Sequence, residues 1–383
     1  MQSRSWLTQE HRIFQESARR FLAQEVTPFI AQWEEQGLVP REVWRKLGQQ
    51  GFLCPWVPEE YGGADVDYTY SIVFQEELIR TTCNSLSTGL RVHADIAAPY
   101  IARHGSQEQK RRILPGCVSG DIILALGMTE PDCGSDLAAL RTSAVKDGAD
   151  YVINGQKTFI SNGIYCDWVV LAVKTDPKAP RHDGTSLILV PSEAPGFARG
   201  RRLAKLGLKA QDTAELIFSD CRVPQENLLG QEGQGFQIMM ENLAQERLVI
   251  SLGALVQAEL ILEMTLDYVK SRTAFGRPIG SFQANAFKLA EMATEVTLGR
   301  AFFESLIAAF VAGEDISRQV PMGKWWLAEM VNRVAYACLQ LHGGYGYMEE
   351  YPICRLYRDV RSLPIVGGTS EIMKQIIAKQ MGL

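Results

Sequence analysis

Apolar residues in the first third of the chain recur at helical spacing. Phe14, Ala18, Phe21, Leu22 and Val26 form one stripe before Pro28, and Ile72, Phe74, Leu78 and Ile79 form another after Asp67. Between them Pro58-Glu59-Glu60-Tyr61-Gly62-Gly63 reads as a turn, and Pro115-Gly116 as a further break. From about residue 121 the period changes. Residues 151–160 read as two strands around an Asn154-Gly155 turn. Residues 168–173 and 186–190 are continuous apolar runs suited to buried strands, and residues 214–218 alternate. Helical spacing returns over about 236–272, 282–313 and 318–342. Helices, then strands, then helices describe an α+β chain of several units, not a doubly wound sheet. We expect an N-terminal helical domain over 1–120, a middle β-barrel-like domain over 121–235 and a C-terminal helical bundle over 236–383.

Composition narrows the chemistry. The chain has 383 residues, 46% of them apolar, enough for a large core. A net charge of −5 and the lack of a basic run argue against a nucleic-acid surface. No window reads as a bilayer-spanning apolar segment, so no membrane span is expected. The start (Trp6, Leu7, Thr8, Glu10, His11) lacks the apolar core of a secretory signal. The eight cysteines are scattered without a CxxC pair, which fits reduced thiols in a bacterial-type cytoplasm. The five histidines form neither HxxxH nor HExxH, so no metal site is expected.

Five segments carry candidate chemistry. Gly127-Met128-Thr129-Glu130-Pro131-Asp132-Cys133-Gly134-Ser135-Asp136 is a polar loop after the apolar run 122–126. Its amides, Thr129 and Ser135 can bond a planar heterocycle, or it is an ordinary turn. Phe159-Ile160-Ser161-Asn162-Gly163 offers an aromatic and a hydroxyl, or a core aromatic in a strand. Residues 268–283 end one helix at Arg272, turn through Phe275-Gly276-Arg277-Pro278 and start another at Phe282-Gln283. Arginine forks suit diphosphates, although a lone Arg272 also suits a solvated helix end. Gln340-Leu341-His342-Gly343-Gly344-Tyr345-Gly346-Tyr347 closes a helix on paired glycines, for close approach to a phosphate or as a plain C-cap. The chain ends in Ile365-Val366-Gly367-Gly368-Thr369-Ser370-Glu371-Ile372, a glycine turn into a last helix. There Glu371 suits the first-turn dipole. No GxGxxG follows a strand, so a nicotinamide Rossmann site is not indicated.

Together these segments resemble the flavin-dependent acyl-CoA dehydrogenases over essentially the whole chain. The resemblance implies their fold, with a four-helix bundle at the C-terminal end, tightly bound FAD, and oxidation of an acyl-CoA to the trans-2-enoyl-CoA. It places Leu126, Met128, Thr129, Gly134 and Ser135 on the flavin, with Phe159, Ile160 and Ser161 beside it and Ser161 facing N5. It gives Arg272, Phe275, Phe282, Gln283, Gln340, Leu341, Gly343 and Gly344 to the FAD of an adjacent subunit. It therefore implies a homo-oligomer, expected as a tetramer. Thr369, Ser370 and Glu371 are further FAD contacts, and Ser135, Gln237, Ala244, Arg247, Gly367 and Gly368 touch the acyl-CoA. Arg355, Arg358 and Asp359 match an element read as structural. Electrons would pass to an electron transfer flavoprotein or a similar carrier.

One position departs from that pattern. Many members carry their catalytic glutamate where Gly367 stands. A branch that includes the long-chain and isovaleryl-CoA enzymes carries it instead at the position of Glu246. Met239, Leu243, Glu246 and Ile250 share one face of a helix, so Glu246 lies in an apolar stripe. Burial there raises a carboxyl pKa and suits a base that removes an α-proton while the β-hydride goes to flavin N5. The other reading of Glu246 is a buried glutamate paired with Arg247 or another arginine. Gly367 frees space for a long or methyl-branched acyl chain. The alternatives are an acyl-CoA oxidase or flavin monooxygenase of the same fold, and a non-catalytic FAD-binding assembly partner.

Overall fold

The computed structural model describes Arg4, residues 6–180 and residues 183–383. Helices α1 (Gln9–Glu25), α2 (Ile30–Gln36), α3 (Arg41–Gln49), α4 (Thr69–Arg80), α5 (Asn84–Leu90), α6 (Ala98–His104) and α7 (Gln107–Ser119) come first. Thr8 and Ser106 open α1 and α7 with reciprocal side-chain caps. Between α5 and α6 the rod widens into a π turn over Arg91–Ala97, a feature that no sequence pattern announced. The break expected at Pro115-Gly116 is absent: Pro115 lies on the exposed side of α7, where water can replace its missing backbone bond. The helix ends instead at Gly120, in the left-handed region (φ +78°).

The middle layer contains β1 (Leu124–Gly127), β2 (Ser143–Asp147), β3 (Asp150–Ser161), β4 (Trp168–Lys174), β5 (Thr185–Pro191), β6 (Phe197–Arg202), β7 (Thr213–Pro224) and β8 (Leu228–Leu229). Their order is β6-β7-β3-β2-β4-β5-β8, with β1 paired to β4. The expected Asn154-Gly155 hairpin is also corrected. β3 runs straight through both residues, and the turn lies at Gly148-Ala149, between the paired Asp147 and Asp150. Gly148 has φ +62°, which a tight hairpin turn needs. Gly155 marks a bulge instead, where a Cβ would come within 2.6 Å of Thr142 Oγ1.

The third layer is helical: α8 (Gly235–Ser271), the short pair β9 (Thr273–Ala274) and β10 (Arg277–Pro278), then α9 (Gln283–Val311), α10 (Gln319–His342), α11 (Pro352–Val360) and α12 (Ser370–Gln380). Helix α8 is the axis of the molecule, with α4, α9 and α10 packed on it. It also corrects a third expectation, that no window is long and apolar enough to span a bilayer, because by length and composition α8 is. In this fold 78% of its apolar window is buried by the bundle, which accounts for that composition. A buried ion network joins the first and third layers: Arg300 of α9 bonds Glu76 of α4 at 2.8 Å and Glu259 of α8 at 2.7 Å.

Candidate active site

The described residues bring the candidate positions into three groups. The first lies at the end of β1 and the far end of β3. Lys157 is completely buried, and its Nζ donates to Met128 O at 3.1 Å and to Glu130 Oε1 at 2.8 Å. Glu130 in turn accepts from the amides of Arg141 and Thr142. Thr158 N donates to Thr129 O. The polar loop of Leu126, Met128, Thr129, Gly134 and Ser135 is thereby held along Phe159, Ile160 and Ser161. A register shift between Lys157 and Ile160 turns Phe159 out of the sheet. Phe159 has φ +59° and is 68% exposed, so it is not the core aromatic that its strand would suggest. A large exposed ring beside a hydroxyl, with open space around Gly134, suits a flat ligand lying against it.

The second group surrounds the C-terminal ends of α8 and α10. Arg272, Gln340, Leu341, Gly343 and Gly344 line a cavity of about 530 Å³ floored by Tyr268 and His342, whose rings stack at 4.3 Å. The Arg272 guanidinium lies over the Tyr345 ring. A Cβ on Gly343 or Gly344 would meet no atom within 4 Å, so these glycines leave an open cradle. In the adjoining hairpin, Phe275 is 95% exposed and touches Phe282 edge-on, next to the exposed Gln283. A charged fork, an open cavity and bare backbone suit a diphosphate-bearing group such as FAD.

The third group is buried. Glu246 is 5% exposed, and Met239, Leu243 and Ile250 on the same face are buried as well. Its carboxyl does not pair with an arginine. Tyr100, from α6, donates its hydroxyl to Glu246 Oε1 at 2.7 Å. Burial pushes the Glu246 carboxyl up to about 7, against the Tyr100 hydroxyl and the positive fields of Arg247 and Arg103. Gly367 has φ +65°, and a Cβ there would lie 2.3 Å from Ile250 Cδ1, one turn along α8 from Glu246. The vacant position and the filled one thus face the same stretch of helix. Arg247 Nε reaches Gly367 O at 3.5 Å, and the buried Lys324 donates to Gly368 O at 2.5 Å. Burial and Arg247 bring Lys324 down to about 8.

Flanking residues complete the map. Thr369 caps α12, Ser370 Oγ bonds Glu329 at 2.6 Å, and Glu371 is an exposed first-turn acid. Gln237 and Ala244 lie on α8 before Glu246, exposed and half-buried respectively. Asp359 is buried and accepts from Leu208 N and Asn84, as a structural residue does. Sequence reasoning missed Tyr100 and Lys324. Neither stands in a motif, and only the packing of α6 and α10 against α8 brings them in.

Comparison with known proteins decides the family. The chain matches "Acyl-CoA dehydrogenase, N-terminal domain" over 8–121, the "middle domain" over 125–221 and the "C-terminal domain" over 233–382. It belongs to the acyl-CoA dehydrogenase family. The mitochondrial long-chain specific acyl-CoA dehydrogenase of Sus scrofa is 46% identical over 97% of this chain and 86% of its own length. The crystal structure of an acyl-CoA dehydrogenase from Geobacillus kaustophilus superposes with a TM-score of 0.98 at 53% identity, covering 99% of this chain and 100% of that one. A glutaryl-CoA dehydrogenase from Mycobacterium smegmatis in complex with FADH2 has a TM-score of 0.92 at 31% identity, covering 99% and 96%. This acyl-CoA dehydrogenase is therefore an oxidoreductase of a flavoprotein family, with the fold expected from its sequence.

Proposed function

We propose that this enzyme binds FAD and oxidises a long-chain or methyl-branched acyl-CoA to the trans-2-enoyl-CoA, with Glu246 as the base. The observation that carries this reading is the buried carboxyl of Glu246 on the stretch of α8 whose Ile250 and Arg247 meet the bare Gly367 backbone. A carboxyl held near neutrality is ionised often enough to act and basic enough to take a proton from carbon. Bound FAD supplies the acceptor for the β-hydride. Arg247 and Lys324 hold the Gly367-Gly368 carbonyls, which keeps the glycine turn closed over the acyl end. Ser135, Gln237 and Ala244 line the approach of the thioester and its CoA. The space that a side chain at 367 would take is filled by Ile250 and is not open to the acyl chain. The long or branched class is supported instead by the similarity to long-chain and isovaleryl-CoA dehydrogenases.

The loop 126–135 and residues 159–161 hold the flavin ring in this reading, and Thr369, Ser370 and Glu371 add contacts from α12. Arg272, Phe275, Phe282, Gln283, Gln340, Leu341, Gly343 and Gly344 hold the FAD of a neighbouring subunit. The active unit is then a homo-oligomer, a tetramer built as a dimer of dimers, and an electron transfer flavoprotein reoxidises it. Domain boundaries near 120 and 235 are supported by the start of β1 at Leu124 and of α8 at Gly235. Eight free cysteines support a reducing, cytoplasmic setting.

The deciding experiment is anaerobic mixing of FAD-loaded enzyme with short, long and branched acyl-CoAs while flavin bleaching is followed. Long or branched chains should bleach fastest, and Glu246→Gln should bind both ligands without bleaching. Rapid bleaching by Glu246→Gln would reject Glu246 as the base. A preference for butyryl-CoA would reject the substrate class.

A further inference from the structure

We propose that Tyr100 is a positioning residue for proton abstraction: its hydroxyl occupies Oε1 of Glu246, fixes the carboxylate and leaves Oε2 as the oxygen that receives the α-proton. This rests on the reading of Glu246 as the base. Tyr100 is completely buried, and it donates to Oε1 at 2.7 Å across 146 residues of sequence. Helix α6 grips α8 next to this contact as well. One turn after Tyr100, Arg103 donates to Asn242 Oδ1 at 2.8 Å and also bonds Gln245. Three neighbouring positions of α8, at 242, 245 and 246, are thus tied to one turn of α6. The carboxylate's direction is set by the packing of two helices and not by a free side chain.

The choice of donor matters chemically. A guanidinium in ion-pair contact would hold the carboxylate ionised and make it a weak base. A phenol fixes it equally well by a hydrogen bond, yet adds no full charge. The ionisable groups acting on Glu246 are Tyr100 and Arg103 from α6 and Arg247 from its own helix. Asp95 of the π turn acts instead on Arg91 and Tyr68, and Lys324 of α10 lies against Arg247. Burial and the Glu246 charge hold the Tyr100 hydroxyl well above its ordinary range, so it keeps its proton throughout. In the step the Cα–H bond breaks and the Oε2–H bond forms. The electron pair left on Cα forms the double bond as the β-hydride departs, and Tyr100 neither gains nor loses a proton.

The test is the pH profile of flavin reduction in the FAD-loaded enzyme. Tyr100→Phe should retain FAD and change KM for the acyl-CoA less than about twofold, while the maximal rate falls about tenfold. The apparent pKa of the base should rise by about one unit, because a donor to the charged form has gone. Replacing Tyr100 alone by 3,5-difluorotyrosine, a stronger donor of nearly the same shape, should move that pKa downward. Opposite shifts in the two variants are not expected of a residue that only fills space. A profile that superposes on the wild type in either folded variant overturns the proposal, and if Tyr100→Phe fails to fold the difluorotyrosine enzyme decides it. The parallel Glu246→Gln enzyme separates the two readings. Turnover there rejects the base itself, whereas an inert Glu246→Gln with an unshifted Tyr100 profile rejects only the role of Tyr100.

Discussion

Glu246 lies within α8 and Arg272 caps its C-terminal end, about 39 Å further along the axis, yet their surroundings differ in kind. Around Glu246, α6 gives Tyr100 and Arg103, its own helix gives Arg247, and Arg247 and Ile250 in turn meet the glycine turn at 367. The carboxyl is desolvated and its protonation is already tuned. At the other end Arg272, Gln340 and Phe275 are exposed, Phe275 almost wholly so, and the glycines at 343 and 344 face open space. The first region is closed by folding, and the second is left open by it. Proton chemistry needs low dielectric and fixed distances, which a packed core provides. A site that holds a large cofactor between subunits needs reachable donors and bare backbone, which a core cannot offer.

The comparison can be broken most decisively at Glu246. Glu246→Gln should lower flavin reduction by about 10²–10⁴-fold in stopped flow while absorbance still reports bound FAD. A normal rate would mean that the buried region holds no base. The same variant should alter stability in a direction that only burial explains. A carboxyl whose folded pKa is raised keeps its proton longer in the folded state, so its contribution weakens as pH climbs from the ordinary value through about 7. Glu246→Gln should therefore match the wild type near pH 4 and exceed it by up to about 3 kcal/mol above pH 7 in urea melts. An unchanged difference between those pH values would show that Glu246 is solvated in solution.

On the open side, Arg272→Ala should weaken FAD binding by about 10–100-fold and lower the oligomeric state together, read by equilibrium dialysis and light scattering. A monomer with stoichiometric FAD would contradict the covered-site reading. Moving the carboxylate sharpens the contrast further. Glu246→Gly with Gly367→Glu returns a base to the position used by other members, but position 367 has φ +65° and Ile250 Cδ1 lies 2.3 Å from a Cβ there. Adding Ile250→Ala should recover measurable turnover on short, unbranched acyl-CoAs that the double variant lacks. Equal activity with and without Ile250→Ala would show that the turn at 367 adapts freely. The smallest effect belongs to Ser161→Ala, which should slow flavin reduction by about 2–10-fold with a shifted flavin spectrum and unchanged melting. An identical spectrum would remove Ser161 from the flavin site.

The sequence by itself determined the order of the layers, the three long helices to within a few residues, and the family, because amphipathic spacing and motif residues are local properties of the chain. It also singled out Glu246 and Gly367 as a filled and a vacant position. It did not yield the course of β3, where Asn154-Gly155 resembles a turn but the tight contact of Gly155 with Thr142 makes a bulge. Nor did it yield the outward turn of Phe159, since a bulge two residues wide overrides the strand's alternation. The apolarity of α8 says nothing about what covers it, and only the bundle shows that the cover is protein. The state of Glu246 depended most on tertiary structure. Its hydrogen bond comes from Tyr100 of α6, more than a hundred residues away, and no local pattern encodes a distance set by helices packing together.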